Sequence, residues 1–243
     1  MTERRRADRL LVERGLFESR AKAQAAISAG LVTANGVPVS KASDEIAADA
    51  IVQATPEHPW VSRGGMKLAA ALDHFQVDPK AKVCLDVGAS TGGFTHVLLE
   101  RGARRIYAVD VGRGQLHQSL REKPEILCLE ETDIRTLSPA LLAEPPNLIV
   151  ADVSFISLKL ILPPALELAR PRAQLIAMIK PQFEAGRTHL KKGVVRDPHV
   201  HQAVCDDISA FVAGLGWTVL GVIPSPVTGG EGNREFLLGA VRG

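Results

Sequence analysis

Apolar positions in the first third of the chain come in short runs punctuated by glycine. In Arg6–Arg14, Leu10 and Leu11 fall on one side and arginines on the other, predicting a helix that Gly15 stops. Ser19 suits the N-cap of a second helix, Arg20–Ala29, closed by Gly30. Leu31-Val32-Thr33 and Val37-Pro38-Val39 flank Asn35-Gly36, a dipeptide that favours the type I′ turn of a β-hairpin. A further strand, Ala50–Val52, follows an acidic stretch. Thr55-Pro-Glu-His-Pro59, with two prolines in five residues, reads as a linker.

Beyond it the rhythm changes to strand, helix, strand. Lys82–Val87, Ile106–Val109, Asn147–Val150 and Leu175–Met178 are apolar runs of buried-strand length, and Phe94–Arg101 reads as a helix between the first two. Further helices are expected to start near Pro163-Pro164 and near Pro198, since proline suits a first turn. Such alternation predicts an α/β fold with a mostly parallel sheet covered by helices on both faces. Trp217–Ile223 and Phe236–Val241, joined by a Pro/Gly-rich loop, could pair antiparallel. No internal repeat or low-complexity tract interrupts this order.

Composition narrows the class. In 243 residues, 46% hydrophobic content can supply a proper core, yet no apolar run reaches the roughly 18–20 residues that span a bilayer. Met1-Thr-Glu-Arg-Arg-Arg leads into no apolar signal segment, and Cys84, Cys128 and Cys205 are widely spaced and odd in number. Both features predict a cytoplasmic protein with reduced, structural thiols. A net charge of +2 announces no nucleic acid by itself. Its distribution is uneven: residues 1–40 carry seven Arg or Lys against four Asp or Glu, whereas residues 41–58 carry one against four. A basic face or an ordinary solvated helix surface would each give that pattern.

The most informative motif is Asp86-Val-Gly88-Ala89-Ser90-Thr91-Gly92-Gly93-Phe94, at a strand end and opening a helix. Asp110 follows at the next strand end, 22 residues after Gly88. Glycines there let backbone approach a ligand closely, and a carboxylate at the next strand end can bind ribose hydroxyls. Pyrophosphate cofactors call for Gly-x-Gly-x-x-Gly on a helix N-terminus. This loop reads Gly-x-x-x-Gly-Gly behind an aspartate, which would repel a pyrophosphate and suits a sulfonium or ammonium cation. A purely structural tight turn is the plain alternative; Asp86, Asp110 and Asp133 at successive strand ends favour a cofactor. Asp152 and Lys180 each directly follow an apolar strand, at the edge where open α/β sheets place their sites.

These motifs, with Asp152-Val-Ser-Phe-Ile-Ser157, Lys180-Pro-Gln-Phe-Glu184, Lys192-Gly-Val-Val-Arg-Asp197, Trp60-Val-Ser-Arg-Gly-Gly-Met-Lys67 and Gly232-Asn-Arg-Glu-Phe236, closely resemble the TlyA family, historically called haemolysin A. The first 55 or so residues resemble the alpha-L RNA-binding domain. The resemblance covers nearly the whole chain and implies three segments: residues 1–58 for the RNA-binding domain, 59–63 as linker, and 64–243 as an FtsJ-like, Rossmann-type methyltransferase domain using S-adenosyl-L-methionine. It implies that Asp86, Gly88, Ala89, Ser90, Thr91, Gly92, Gly93 and Phe94 wrap the methionine and ribose ends. Asp110 with Val111 would hold the ribose hydroxyls, Asp133 with Ile134 would face the adenine, and Asp152 would complete the site.

The same resemblance implies a catalytic Lys67, Asp152, Lys180, Glu235 tetrad acting on a ribose 2′-hydroxyl, in cytidine of small- or large-subunit rRNA. A ribose hydroxyl is a weak nucleophile. A lysine at the oxygen can orient it, and can take its proton if desolvation or a neighbouring cation lowers the lysine pKa. Lys180 is expected at the 2′-oxygen with Lys67 beside it, the two carboxylates positioning them; much of the catalysis would be in-line placement.

Arg4, Arg6, Arg20 and Lys22 would lie against structured rRNA, mainly at phosphates. Arg63 and a mobile basic loop carrying Arg187, Lys191, Lys192 and Arg196 would add contacts near the site, although a solvated loop explains those charges equally well. His199-x-His201 lacks a third ligand, so no metal is expected, and Ser154 and Ser157 lack the setting of a hydrolase nucleophile. The expected protein is a monomer that binds rRNA in ribosomal subunits and no membrane. Three rivals remain: a membrane-damaging haemolysin, which needs a long apolar or amphipathic segment absent here; a noncatalytic ribosome-assembly module; and, less suited to the loop spacing, a nucleotide-dependent oxidoreductase.

Overall fold

A computed structural model describes residues 3–56 and 58–243; the chain divides into two compact units between Pro59 and Trp60. Glu57, in the proline-bearing segment, lies outside the described residues.

The first unit runs β1 (Arg4–Arg6), α1 (Ala7–Glu13), α2 (Arg20–Ser28), β2 (Val32–Ala34), β3 (Val37–Pro38), β4 (Glu45–Ala47) and β5 (Val52–Ala54). Ser19 Oγ accepts from Lys22 N–H at 3.3 Å and caps α2. Asn35 and Gly36, at φ 50° and 79°, form the hairpin turn between β2 and β3. β5 begins two residues later than the apolar pattern suggests. Asn35 takes both backbone polar groups of Ile51, its Oδ1 from Ile51 N–H at 2.8 Å and its N–H to Ile51 O at 2.8 Å. Ile51 is thereby held at the hairpin tip, 75% exposed, and pairing with β2 starts at Val52. The apolar pattern gives no sign of the β1–β4 pair, because three arginines face Glu45, Ile46 and Ala47 and only Ile46 is buried. Leu10, Leu11, Phe17, Ile27, Val32 and Val39 form this unit's own core.

The second unit runs α3 (Gly64–His74), β6 (Val83–Val87), α4 (Gly93–Glu100), β7 (Arg105–Val109), α5 (Gln118–Arg121), β8 (Ile126–Leu129), β9 (Leu148–Ala151), α6 (Leu158–Glu167), β10 (Ala173–Ile179), α7 (Pro181–Glu184), α8 (Pro198–Gly214), β11 (Thr218–Pro224) and β12 (Phe236–Arg242). Its seven-stranded sheet has the order β11-β12-β10-β9-β6-β7-β8, parallel from β10 to β8, with β12 antiparallel to β10 and β11 to β12. Alternate residues of each strand feed different cores. Leu85, Tyr107, Ile149 and Leu175 pack with Ile161, Leu162 and Ile208; Cys84, Ile106, Leu148 and Ile176 pack with Leu68, Leu72, Val97 and Leu98. From β6 the chain proceeds to β7 and β8 on one side, then returns to β9 and β10 on the other. That reversal opens a crevice beyond the carboxyl ends of β6, β9 and β10, where α/β sheets bind ligands.

One helix starts elsewhere than expected. α6 begins at Leu158, and Pro163 and Pro164 lie inside it. Ser157 Oγ caps it by accepting from Lys159 N–H at 3.1 Å, and Glu184 accepts from Leu158 N–H at 2.8 Å. With its start fixed and Leu158, Ile161, Leu162, Ala165 and Leu166 buried, the helix tolerates the amide donors that two prolines remove. Pro198 does sit in a first turn, behind the Asp197 cap.

Candidate active site

The crevice is a cavity of about 810 Å³, a volume typical of sites for small molecules. Loops at the carboxyl ends of β6, β9 and β10 supply its floor, and the start of α3 and the segment before β12 supply the rest. Lys67 and Glu235 meet across it at 2.5 Å, their side chains 11% and 4% exposed. Lys180 Nζ lies 2.7 Å from Asp152 Oδ1 and donates to Ser154 Oγ at 2.9 Å. Gln182 Nε2 donates to the second oxygen of Glu235 at 3.4 Å. All four residues expected to act together therefore line one cavity, as two ammonium–carboxylate pairs. Each lysine has a carboxylate neighbour, a charge-assisted contact that fixes where its Nζ points.

The glycine turn wraps the same space. Gly88, Ala89, Ser90, Thr91, Gly93 and Phe94 line it. Gly88, at φ +83°, leaves no room for a side chain: a Cβ there would meet the Asp152 carbonyl oxygen at 2.7 Å. Backbone is thus brought close to the ligand space and to the Asp152 loop at once.

Asp86 departs from expectation. Strand alternation turns it into the layer beneath α3 and α4, where it is fully buried, accepts from Thr95 Oγ at 2.6 Å and forms no part of the cavity wall. Its other oxygen, Oδ1, has no hydrogen-bond partner among the described residues, and burial pushes the carboxyl up to about 7. Asp110 accepts from Ser90 N–H at 2.8 Å and Gly112 N–H at 2.7 Å, bracing the turn from outside the cavity. Val111 is 72% exposed beside it. Asp133 caps a short 3-10 turn and holds the Arg135 guanidinium, its carboxyl kept below the usual range by that hydrogen bond; Ile134 behind it is buried. Asp110, Val111, Asp133 and Ile134 follow the carboxyl ends of β7 and β8 and do not line the cavity. A buried carboxylate oxygen without a partner under a turn that excludes side chains fits a cationic, backbone-recognised ligand of the S-adenosylmethionine type.

The family model for FtsJ-like methyltransferases matches residues 60–242 of this chain. The chain belongs to that family. The FtsJ-like unit is preceded by a match to the S4 domain over residues 5–52, which answers to the alpha-L resemblance. The 16S/23S rRNA (cytidine-2′-O)-methyltransferase TlyA of Mycobacterium tuberculosis is 42% identical over 98% of this chain and 90% of its own length. Hemolysin A of Brachyspira hyodysenteriae is 36% identical over 96% of this chain and 98% of its own. A solved hemolysin-type structure from Streptococcus thermophilus covers 100% of this chain and 90% of its own, with a TM-score of 0.77 at 38% identity. Among the described residues no helix is long and apolar enough to cross a membrane.

The FtsJ-like unit also shows residues that pattern reading passes over. Ser154 contacts Lys180, although its sequence setting marks it only as a poor nucleophile. Phe155 is 90% exposed at φ +64°, its ring 5.0 Å from that of Phe183, and both line the cavity. An apolar residue in left-handed backbone carries no periodic signature. Arg63 stands exposed at the rim, as do Lys191 and Lys192; the Arg187 side chain lies outside what the structure describes. In the S4 unit the four basic residues have internal partners: Arg6 and Arg20 hold the buried Asp8, Lys22 meets Glu18 at 2.5 Å, and Arg4 donates to the Glu45 carbonyl.

Proposed function

We propose that this chain methylates a ribose 2′-hydroxyl of cytidine in ribosomal RNA with S-adenosyl-L-methionine as donor. The observation that carries the reading is the pair of ion pairs, Lys180–Asp152 and Lys67–Glu235, facing one cavity beside the glycine turn. The cofactor supplies an electrophilic methyl group when bound. Residues 88–94 would hold its methionine part by backbone contacts, with Asp110, Val111, Asp133 and Ile134 along its nucleoside and Asp86 offsetting positive charge from below. Lys180 would donate to the 2′-oxygen and keep it in line, and the hydroxyl proton would pass to its Asp152 carboxylate partner as the O–CH3 bond forms and the S–CH3 bond of the sulfonium breaks, leaving the neutral thioether. Lys67, fixed by Glu235, sets the second side of that position. Phe155 offers a flat apolar surface at the mouth for a nucleobase turned out of its stack.

Residues 1–58 deliver the enzyme to rRNA through Arg4, Arg6, Arg20 and Lys22, residues 59–63 join the units, and Arg63, Arg187, Lys191 and Lys192 bind phosphates near the target. It acts as a monomer in the cytoplasm on assembled ribosomal subunits. Incubation with labelled S-adenosylmethionine and separate unmodified subunits, followed by mapping of the label, tests the reading. Label confined to 2′-O-methylcytidine supports it; label elsewhere or none refutes it.

A further inference from the structure

His201, the second histidine of the His-x-His pair, has no part in the chemistry above. It sits on α8, 5% exposed, with Nε2 2.9 Å from the Val195 carbonyl oxygen. Contact with a carbonyl requires that nitrogen to donate. On its other side Val195, itself 2% exposed, donates its N–H to Asn233 Oδ1 at 3.3 Å. Both polar backbone groups of Val195 are thus held by buried side chains from separate parts of the fold.

The residues just before it form a tight hairpin. Lys191 and Val194 exchange backbone hydrogen bonds at 3.0 and 3.1 Å, and Lys192 and Gly193 stand at φ +51° and +78°. That is type I′ geometry. Asn233 Nδ2 reaches back to the Gly193 carbonyl at 3.2 Å. Leu190 and Gly193 line the cavity, while Lys191 and Lys192 are exposed beside it. The basic loop expected to be mobile is therefore anchored, and its two lysines have their backbone placed before any ligand arrives.

We propose that His201 is a positioning residue for RNA: its hydrogen bond to Val195 holds the Lys191–Val194 turn so that the lysines meet phosphates flanking the target nucleotide. The inference rests on the rRNA methyltransferase reading and deepens it. A role in packing alone, against the Phe236 ring 5.7 Å away, would move stability without moving RNA affinity selectively.

The test uses the full chain, with methyl-transfer kinetics and direct rRNA binding measured across a salt series. His201→Leu should raise KM for rRNA about five-fold with kcat within about two-fold, and lower the slope of log affinity against log salt by roughly one to two, the share of one or two phosphates. His201→Gln, which keeps an N–H donor, should restore both. Gly193→Ala strains the turn at φ +78° without touching the core and should reproduce the loss, which decides the matter if His201→Leu fails to fold. Wild-type salt slope and affinity in His201→Leu or in Gly193→Ala would overturn the proposal. Absence of methyl transfer by the unaltered protein, with those binding differences present, would instead overturn the methyltransferase reading.

Discussion

Lys67 and Glu235 are nearly sealed from solvent, so removing one strands the charge of the other. Lys67→Ala should lower stability by about 3–5 kcal/mol besides abolishing transfer, whereas the volume-matched pair Lys67→Met with Glu235→Leu should recover most of the stability and none of the activity. Urea unfolding and methyl-transfer rates on the same samples separate the two effects. Asp86 makes a second prediction. Its folded carboxyl titrates near 7 and its unfolded one near 4, so between those values the folded protein holds a proton that the unfolded chain has released. Stability must then fall as pH rises through that window, by up to about 1.4 kcal/mol per pH unit. Asp86→Asn, which can still accept from Thr95, should remove the slope; parallel slopes in both proteins would show that Asp86 is ionised throughout.

At the scale of elements, Ser157 and Glu184 fix the start of α6 and with it the loop from Asp152 to Phe155. Ser157→Ala should cost about 1 kcal/mol through loss of the cap, and slow transfer more than it weakens cofactor binding. Equal losses in kcat and in cofactor affinity by calorimetry would contradict that division. The elements most legible in the sequence are β6, β7, β9 and β10, whose apolar runs carry their own signal because they are buried on both faces. α3 is invisible there, since it opens on Gly64-Gly65, residues that discourage helix in isolation; at Gly65 the Trp60 side chain leaves no room for a Cβ. The start of α6 is misplaced by its prolines because proline marks first turns on average, while here the Ser157 cap, joined by a glutamate 26 residues downstream at Leu158 N–H, sets it. Lys67 and Glu235 stand out only by resemblance, since no local pattern shows that residues 168 positions apart will touch.

For the whole molecule, two units with separate cores imply separable functions: one binds RNA, the other performs the transfer. Replacing Arg4, Arg6, Arg20 and Lys22 by Ala should weaken rRNA binding and flatten its salt dependence by roughly 0.9 for each phosphate no longer neutralised, leaving cofactor affinity unchanged. Because Arg6 and Arg20 also hold Asp8, folding of the first unit must be checked by its circular dichroism. Near-neutral overall charge hides this arrangement, and only local segregation of basic residues hints at it. The most direct measurement is methyl transfer to unmodified ribosomal subunits by Lys180→Ala, alongside calorimetry of S-adenosylmethionine binding. The account predicts transfer reduced by at least about 10²-fold with cofactor affinity retained. Undiminished transfer to the same cytidines would contradict it.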